Sequence, residues 1–246
     1  MAVCTMEFWG ASLQKASSMN IILPDRVKSR RQMCVLYQLH GFSDNHSAWA
    51  RYTSIERYVR ELNLMVVMPD GGHGFYCDAV EGFAYESHIM KDVIGFVERF
   101  FTVRTDRKGR AIGGLSMGGY GSMKLALKYP QKFASVASHS SAMTFGHSEK
   151  RLENPEFARI LGGVGIGGKD DLYAIVDKLD PRKAPAIRYD CGKDDGLIDG
   201  NRRFHRYLLK RKIKHQYREY PGAHTWDYWD AHVQEAIRFH AKHLAL

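Results

Sequence analysis

Ser116 sits in Gly114-Leu115-Ser116-Met117-Gly118, inside the run "AIGGLSMGGYGSMKLAL", which holds five glycines. A serine with glycine two residues away on each side fits a nucleophile elbow, a strand-to-helix turn too tight for neighbouring side chains. There the hydroxyl projects above the sheet edge, and the amino-terminal dipole of the new helix points at it. Glycine inside an element costs about 0.5–1 kcal/mol relative to alanine, so several together need a steric reason. Gly119 and Gly121 would serve close helix–strand contact.

A hydroxyl is a poor nucleophile without a base. Of the twelve histidines, His224 in "YPGAHTWDYW" is expected in a loop past the last strand and before the closing helix. The order serine, acid, histidine places the base there. His240 and His243 are expected on the surface of the closing helix, while His205 and His215 belong to a basic segment. The acid that fixes the imidazole tautomer should follow the penultimate strand, where "YDCGKDDGLID" offers Asp190, Asp194, Asp195 and Asp199. Asp190 falls within the strand and Asp199 opens the next helix. Spacing from Gly192 favours Asp195, with Asp194 as the alternative.

A tetrahedral oxyanion needs two backbone donors. One is the Met117 amide. The other is assigned to Phe42 in "LYQLHGFSDN", where Gly41 lets the backbone turn its N–H inward. Phe42, Phe75, Tyr76 and Trp226 are candidates to line an apolar acyl or aryl pocket.

The elements that must position these groups follow from hydrophobic periodicity. Strands are expected at 33–40, 64–70, 110–115, 133–139, 186–192 and 215–221. Helices are expected at 47–63 (Tyr52, Ile55, Val59, Leu62), 84–101 (Ile89, Val93, Val97, Phe100) and 227–244 (Val233, Ile237, Leu244). Such alternation implies an α/β fold: a mainly parallel central sheet with helices on both faces. "VCTMEFWG" and "SSMNIILPD" read as an antiparallel hairpin leading into it. The chain reads as one domain, 1–246. Residues 140–185 break the rhythm with helices near 154–161 and 170–179, either a cap-like insertion over a pocket or a plain surface excursion.

The segments "HGFSDNHSAW", "PDGGHGFYCD", "YESHIMKDVIGFVE", "GLSMGGYGSMKLAL", "CGKDDGLIDGNRRFHRYL" and "PGAHTWDYW" resemble the esterase D and tributyrin-esterase group of the α/β-hydrolases. That group includes S-formylglutathione hydrolases and feruloyl esterases, and the resemblance covers about residues 5–245. It implies an α/β-hydrolase fold, a serine carboxylesterase activity and a triad of Ser116, Asp195 and His224. Gly196 departs from the group, whose members often carry a bulky residue there.

The totals exclude several other classes. At 246 residues, 44% hydrophobic and 26% charged, the composition is that of an ordinary globular protein. The four cysteines form no C-x-x-C pair, His40, His73 and His224 share no ligand spacing, and "DDGLIDGN" puts Leu197 where a calcium loop needs a ligand. No metal and no cofactor is therefore expected. "GVGIGG" (163–168) matches a dinucleotide fingerprint, but the preceding "NPEFARIL" reads as a capped helix rather than a strand. Residues 1–20 lack a signal-peptide core and no apolar run could span a bilayer, so the expectation is a cytoplasmic protein without a membrane partner. Much of the net charge of +9 lies in "NRRFHRYLLKRKIKH" (201–215), expected to be a solvated helix face and not a nucleic-acid site. The partner is then a small-molecule ester, with the oligomeric state open, homo-oligomers included. Alternatives are an acyltransferase or thioesterase using the same triad, or a basic nucleic-acid-binding module on an inactive hydrolase scaffold.

Overall fold

A computed structural model of the chain describes residues 1–25 and 32–246. Eight strands form one sheet: β1 (Ala2–Gly10), β2 (Lys15–Leu23), β3 (Cys34–Leu39), β4 (Leu64–Pro69), β5 (Arg110–Leu115), β6 (Ser135–His139), β7 (Ala186–Gly192) and β8 (Gln216–Tyr220). Their order is β1-β2-β4-β3-β5-β6-β7-β8. The six strands from β3 to β8 run parallel, and the β1–β2 hairpin joins antiparallel to β4. This sheet has the α/β-hydrolase fold, with an N-terminal antiparallel hairpin.

Strand side chains alternate between two cores, as the period of two demands. Val35, Tyr37 and Leu39 of β3 face one core, while Cys34 and Leu36 face the other. On the first face lie α3 (Tyr85–Ser87), a π-helical segment (His88–Val93), α4 (Ile94–Phe100), α5 (Ser116–Lys128), α6 (Pro155–Leu161), α7 (Leu172–Lys178) and α8 (Ile198–Lys210). On the second lie α1 (Ala48–Tyr52), α2 (Ile55–Val59) and α9 (Trp226–His243). Parallelism points the carboxyl ends of β3 to β8 toward one edge, where the loops after β3, β5, β7 and β8 gather. Ligands bind at such edges in open α/β sheets.

Several elements depart from the sequence expectation. The 47–63 helix is two short helices broken at Thr53–Ser54. The Thr53 hydroxyl accepts the Ile55 amide at 3.2 Å, and Asp230 of α9 accepts the Ser54 amide at 2.8 Å. These side chains offer the backbone an alternative to the helical ladder. Tyr52, at the break, is left 48% exposed. The 84–101 helix carries a π-helical turn that aims His88 at Ser17 and Asp92, each 3.0 Å away. Ile89, Val93 and Val97 are buried, but Phe100 at the helix end is 62% exposed. His240, expected at the surface, is buried, because α9 lays it against β6, where Ser135 meets its Nδ1 at 2.8 Å. Burial depresses its pKa to about 3, with His139 and Arg188 adding to the effect, so it is neutral.

The basic segment becomes α8 and its trailing turn. Phe204, Leu208 and Ile213 are buried, and among the cations Arg202 binds Glu219 and Arg211 binds Asp177. "NPEFARIL" forms α6, with Asn154 accepting the Glu156 amide and Gly162 closing it in the left-handed conformation.

One buried charge cluster was not foreseen. Lys124 of α5 is fully buried and reaches Glu86 (2.9 Å), Asp170 (2.8 Å) and the Cys77 sulfur (3.2 Å). It ties the helix that begins at Ser116 to α3 and to the 140–185 region. Burial would raise the Glu86 carboxyl, but Lys124, Lys128 and the Tyr129 hydroxyl override it and hold the pKa at about 2, below the ordinary 4.5. A carboxyl held low in the folded state stabilises above its ordinary value and loses that contribution as pH falls through the folded one. Stability should therefore drop between about pH 4.5 and about pH 2. Urea midpoints across that window should fall less steeply for Glu86→Gln than for wild type; equal slopes would contradict the assignment.

Candidate active site

The turn between β5 and α5 holds Ser116 at φ +52, a left-handed conformation that non-glycine residues rarely adopt. Its neighbours explain the glycines. A methyl at Gly114 would sit 2.6 Å from the Gly118 carbonyl, and one at Gly118 would sit 2.5 Å from the His40 carbonyl oxygen. The helix thus starts in contact with the end of β3, and the strained serine is thrust out of the turn. Gly119 admits Ser141, from the segment after β6. Gly121 does something other than expected: with Gly71, it opens a hollow for the ring of Tyr76.

His224 lies in the loop between β8 and α9. Its Nε2 is 3.0 Å from Ser116 Oγ, and its Nδ1 is 2.9 Å from Asp195 Oδ2. Residues 108 and 29 positions apart in sequence thus form one hydrogen-bonded line. Asp195 is buried, and its other oxygen accepts the Leu197 amide at 2.8 Å. Burial opposes its ionisation, yet the His224 ring, the Leu197 amide and the Ser140 hydroxyl together lower its pKa. Asp194 is exposed and points elsewhere; its amide bonds the Gly222 carbonyl. Asp190 is buried on β7 among His139 (2.9 Å), Tyr228 (3.0 Å) and Arg188, two strands away from the β5 end that carries the serine.

A family model described as "Putative esterase" matches residues 10–240. The chain belongs to that esterase family. It is 30% identical to an acetyl esterase of Caldicellulosiruptor saccharolyticus, over 98% of this chain and 99% of that one. The structure of fluorophosphonate-binding serine hydrolase F of Staphylococcus aureus superposes with a TM-score of 0.89 at 30% identity, covering 97% of this chain and 98% of the other. An S-formylglutathione hydrolase of Staphylococcus aureus gives 0.87 at 28% identity, with the same coverage. The protein is a serine esterase of the carboxylic ester hydrolase type.

In this esterase the residue before the Gly41 turn organises the loop after β3. The Gly71 amide donates to His40 Nε2 at 2.8 Å, so the ring proton sits on Nδ1 and bonds the Gly41 carbonyl at 2.7 Å. The Asp44 amide donates to the same carbonyl at 3.3 Å. Because a trans peptide is planar, pinning that carbonyl on one side turns the Phe42 N–H to the opposite side. The Met117 amide, in the first turn of α5, has no acceptor within the helix.

A cavity of about 300 Å³ opens over the serine, lined by Gly41, Phe42, Ser43, Asp44, Leu115, Ser116, His224, Thr225, Trp226 and Trp229. Phe42 and Trp226 are on its wall. Phe75 and Tyr76, two other pocket candidates, are not: both are buried, at 4% and 0% exposure. Phe75 stacks on Phe145 with ring centres 3.6 Å apart. Tyr76 fills its glycine-lined hollow and donates to the His40 carbonyl at 3.1 Å, bracing the loop from below. Sequence reasoning missed Ser140 as well. It adopts φ +48, accepts the Trp229 indole N–H at 3.0 Å, and sits beside Asp195.

Ser17, His88 and Asp92 repeat the serine–histidine–carboxylate connectivity. Ser17 and His88 are buried at 7% and 0% exposure, so no ester reaches them, and their bonds clasp the hairpin to the π-helical turn.

Proposed function

We propose that the esterase cleaves short-chain acyl or aryl esters of small molecules through Ser116, His224 and Asp195. The observation that carries the reading is the unbroken line from Asp195 through His224 to Ser116, at 2.9 and 3.0 Å. His224 Nε2 takes the hydroxyl proton as Ser116 Oγ attacks the ester carbonyl, and Asp195 stabilises the imidazolium through Nδ1–H. The amides of Phe42 and Met117 receive the oxyanion. His224 then protonates the departing alcohol, and water, activated by the same imidazole, releases the acid from the acyl-enzyme. The 140–185 region acts as the cover of a single 1–246 domain. This is supported by Phe157 of α6, which packs edge-on to the Phe42 ring at 6.0 Å, and by Glu156, 3.2 Å from His73.

A panel of p-nitrophenyl esters from acetate to decanoate, with methyl ferulate, tests the reading. Turnover should be highest for short or aryl acyl groups and vanish in Ser116→Ala. Likeness to an S-formylglutathione hydrolase favours a second reading, thioester cleavage by the same groups. Offering S-formylglutathione beside p-nitrophenyl acetate separates the two by kcat/KM.

If His40 aims the Phe42 amide, His40→Ala should lower kcat about 10²-fold, the usual cost of one oxyanion donor, with KM nearly unchanged. A loss confined to KM would contradict that role.

A further inference from the structure

The catalytic cavity contains a carboxylate that the ester chemistry does not use. Asp44 Oδ2 lies 3.0 Å from the point a Gly41 Cβ would occupy, and Ser116 Cβ lies 3.7 Å from the same point. Asp44 lines the cavity together with Ser116 and His224. Among the described residues no lysine, arginine or histidine nitrogen comes within ion-pair distance of it, and no side chain donates to it. Half-burial raises its pKa, opposed by His40 and the Gly41 amide.

A negative charge is costly at that place. A carboxylate beside an oxyanion hole repels the charge that develops in the transition state, and a half-buried carboxylate without a cationic side chain beside it is unfavourable in itself. In a chain with a net charge of +9, a basic residue to neutralise it was available and is not there. A substrate cation resolves both costs. The cavity also presents the Trp226 indole, the aromatic ring that best receives a cation. Arg51 lies over the neighbouring Tyr52 at 5.1 Å and does not line the cavity.

We infer that Asp44 is a specificity determinant that selects esters whose alcohol carries a cationic ammonium group a few bonds from the ester oxygen. The ammonium sits between the Asp44 carboxylate and the Trp226 ring while Ser116 attacks the carbonyl. This rests on the esterase reading of the same cavity.

Acetylcholine and its uncharged isostere 3,3-dimethylbutyl acetate differ only in the charge, so the ratio of their kcat/KM values reads the effect. Wild type should favour the cation about fivefold or more at low salt, and added salt should shrink the ratio. Asp44→Asn should bring the ratio near one and, by removing the repulsion, raise turnover of the uncharged ester. That crossed outcome cannot come from a damaged fold, which would slow both. An equal or inverted preference in wild type, no turnover of acetylcholine, or a preference that Asp44→Asn leaves in place overturns the inference. Cleavage of p-nitrophenyl acetate that survives Ser116→Ala strikes the esterase reading instead, so the two failures are distinguishable.

Discussion

Ser116→Ala should abolish ester cleavage, lowering kcat by about 10⁵-fold or more, while the protein still folds. In the proposed mechanism the hydroxyl bonds to the acyl group and gives its proton to His224 across the 3.0 Å contact. The same position carries backbone strain, at φ +52. Strain of this kind costs on the order of 1–3 kcal/mol and persists where surrounding structure enforces it. Ser116→Gly should therefore be as inactive as alanine and yet more stable, by about 1 kcal/mol, read from urea or thermal unfolding. An inactive glycine variant that is also less stable would contradict the elbow geometry, and an active alanine variant would contradict the nucleophile.

Asp195→Asn should lower kcat about 10⁴-fold with little change in stability, because an amide facing Nδ1 favours the wrong imidazole tautomer. Asp194→Asn is the matched control, one residue away, and should stay within a few-fold of wild type. Its side chain is exposed and belongs to no hydrogen bond with His224. Steady-state kinetics on p-nitrophenyl acetate separates the two. Comparable losses in both variants would mean that the acid loop, and not one carboxylate, sets the rate.

These two neighbours illustrate what a sequence can carry. The elbow is legible because its cause is local: Gly114 and Gly118 collide with each other and with the end of β3 if they grow a side chain. His224 is legible through its place between the last strand and the last helix. Asp194 and Asp195 share one loop, and only the turn that sends Asp195 inward to the Leu197 amide and His224 distinguishes them in space. The spacing from Gly192 favoured Asp195 with Asp194 as the alternative, and the family resemblance pointed to Asp195 as well.

Other features depend on distant partners and leave no local trace. The break between α1 and α2 is secured by Asp230, 176 residues further along the chain. The sequence around Lys124 gives no sign that α3 and Asp170 close over it. Phe75 and Tyr76 were candidates for the pocket wall because an aromatic near a site suits wall or core equally. What decides it is the space that Gly71 and Gly121 leave beneath the loop, where the Tyr76 hydroxyl finds the His40 carbonyl. His240 likewise reads as a surface residue until β6 supplies Ser135. His40 was in view as the residue before Gly41 and as a rejected metal ligand. Its tautomer, and hence its hold on the Phe42 peptide, depends on the Gly71 amide from another loop.

The central claim is that one serine carries the acyl group. Treating the protein with a fluorophosphonate and mapping the adduct by peptide mass spectrometry tests it most directly. The account predicts a single modified peptide carrying the adduct on Ser116, formed in step with loss of esterase activity and absent from Ser116→Ala. An adduct on any other residue, Ser17 included, with activity lost in parallel, would contradict it.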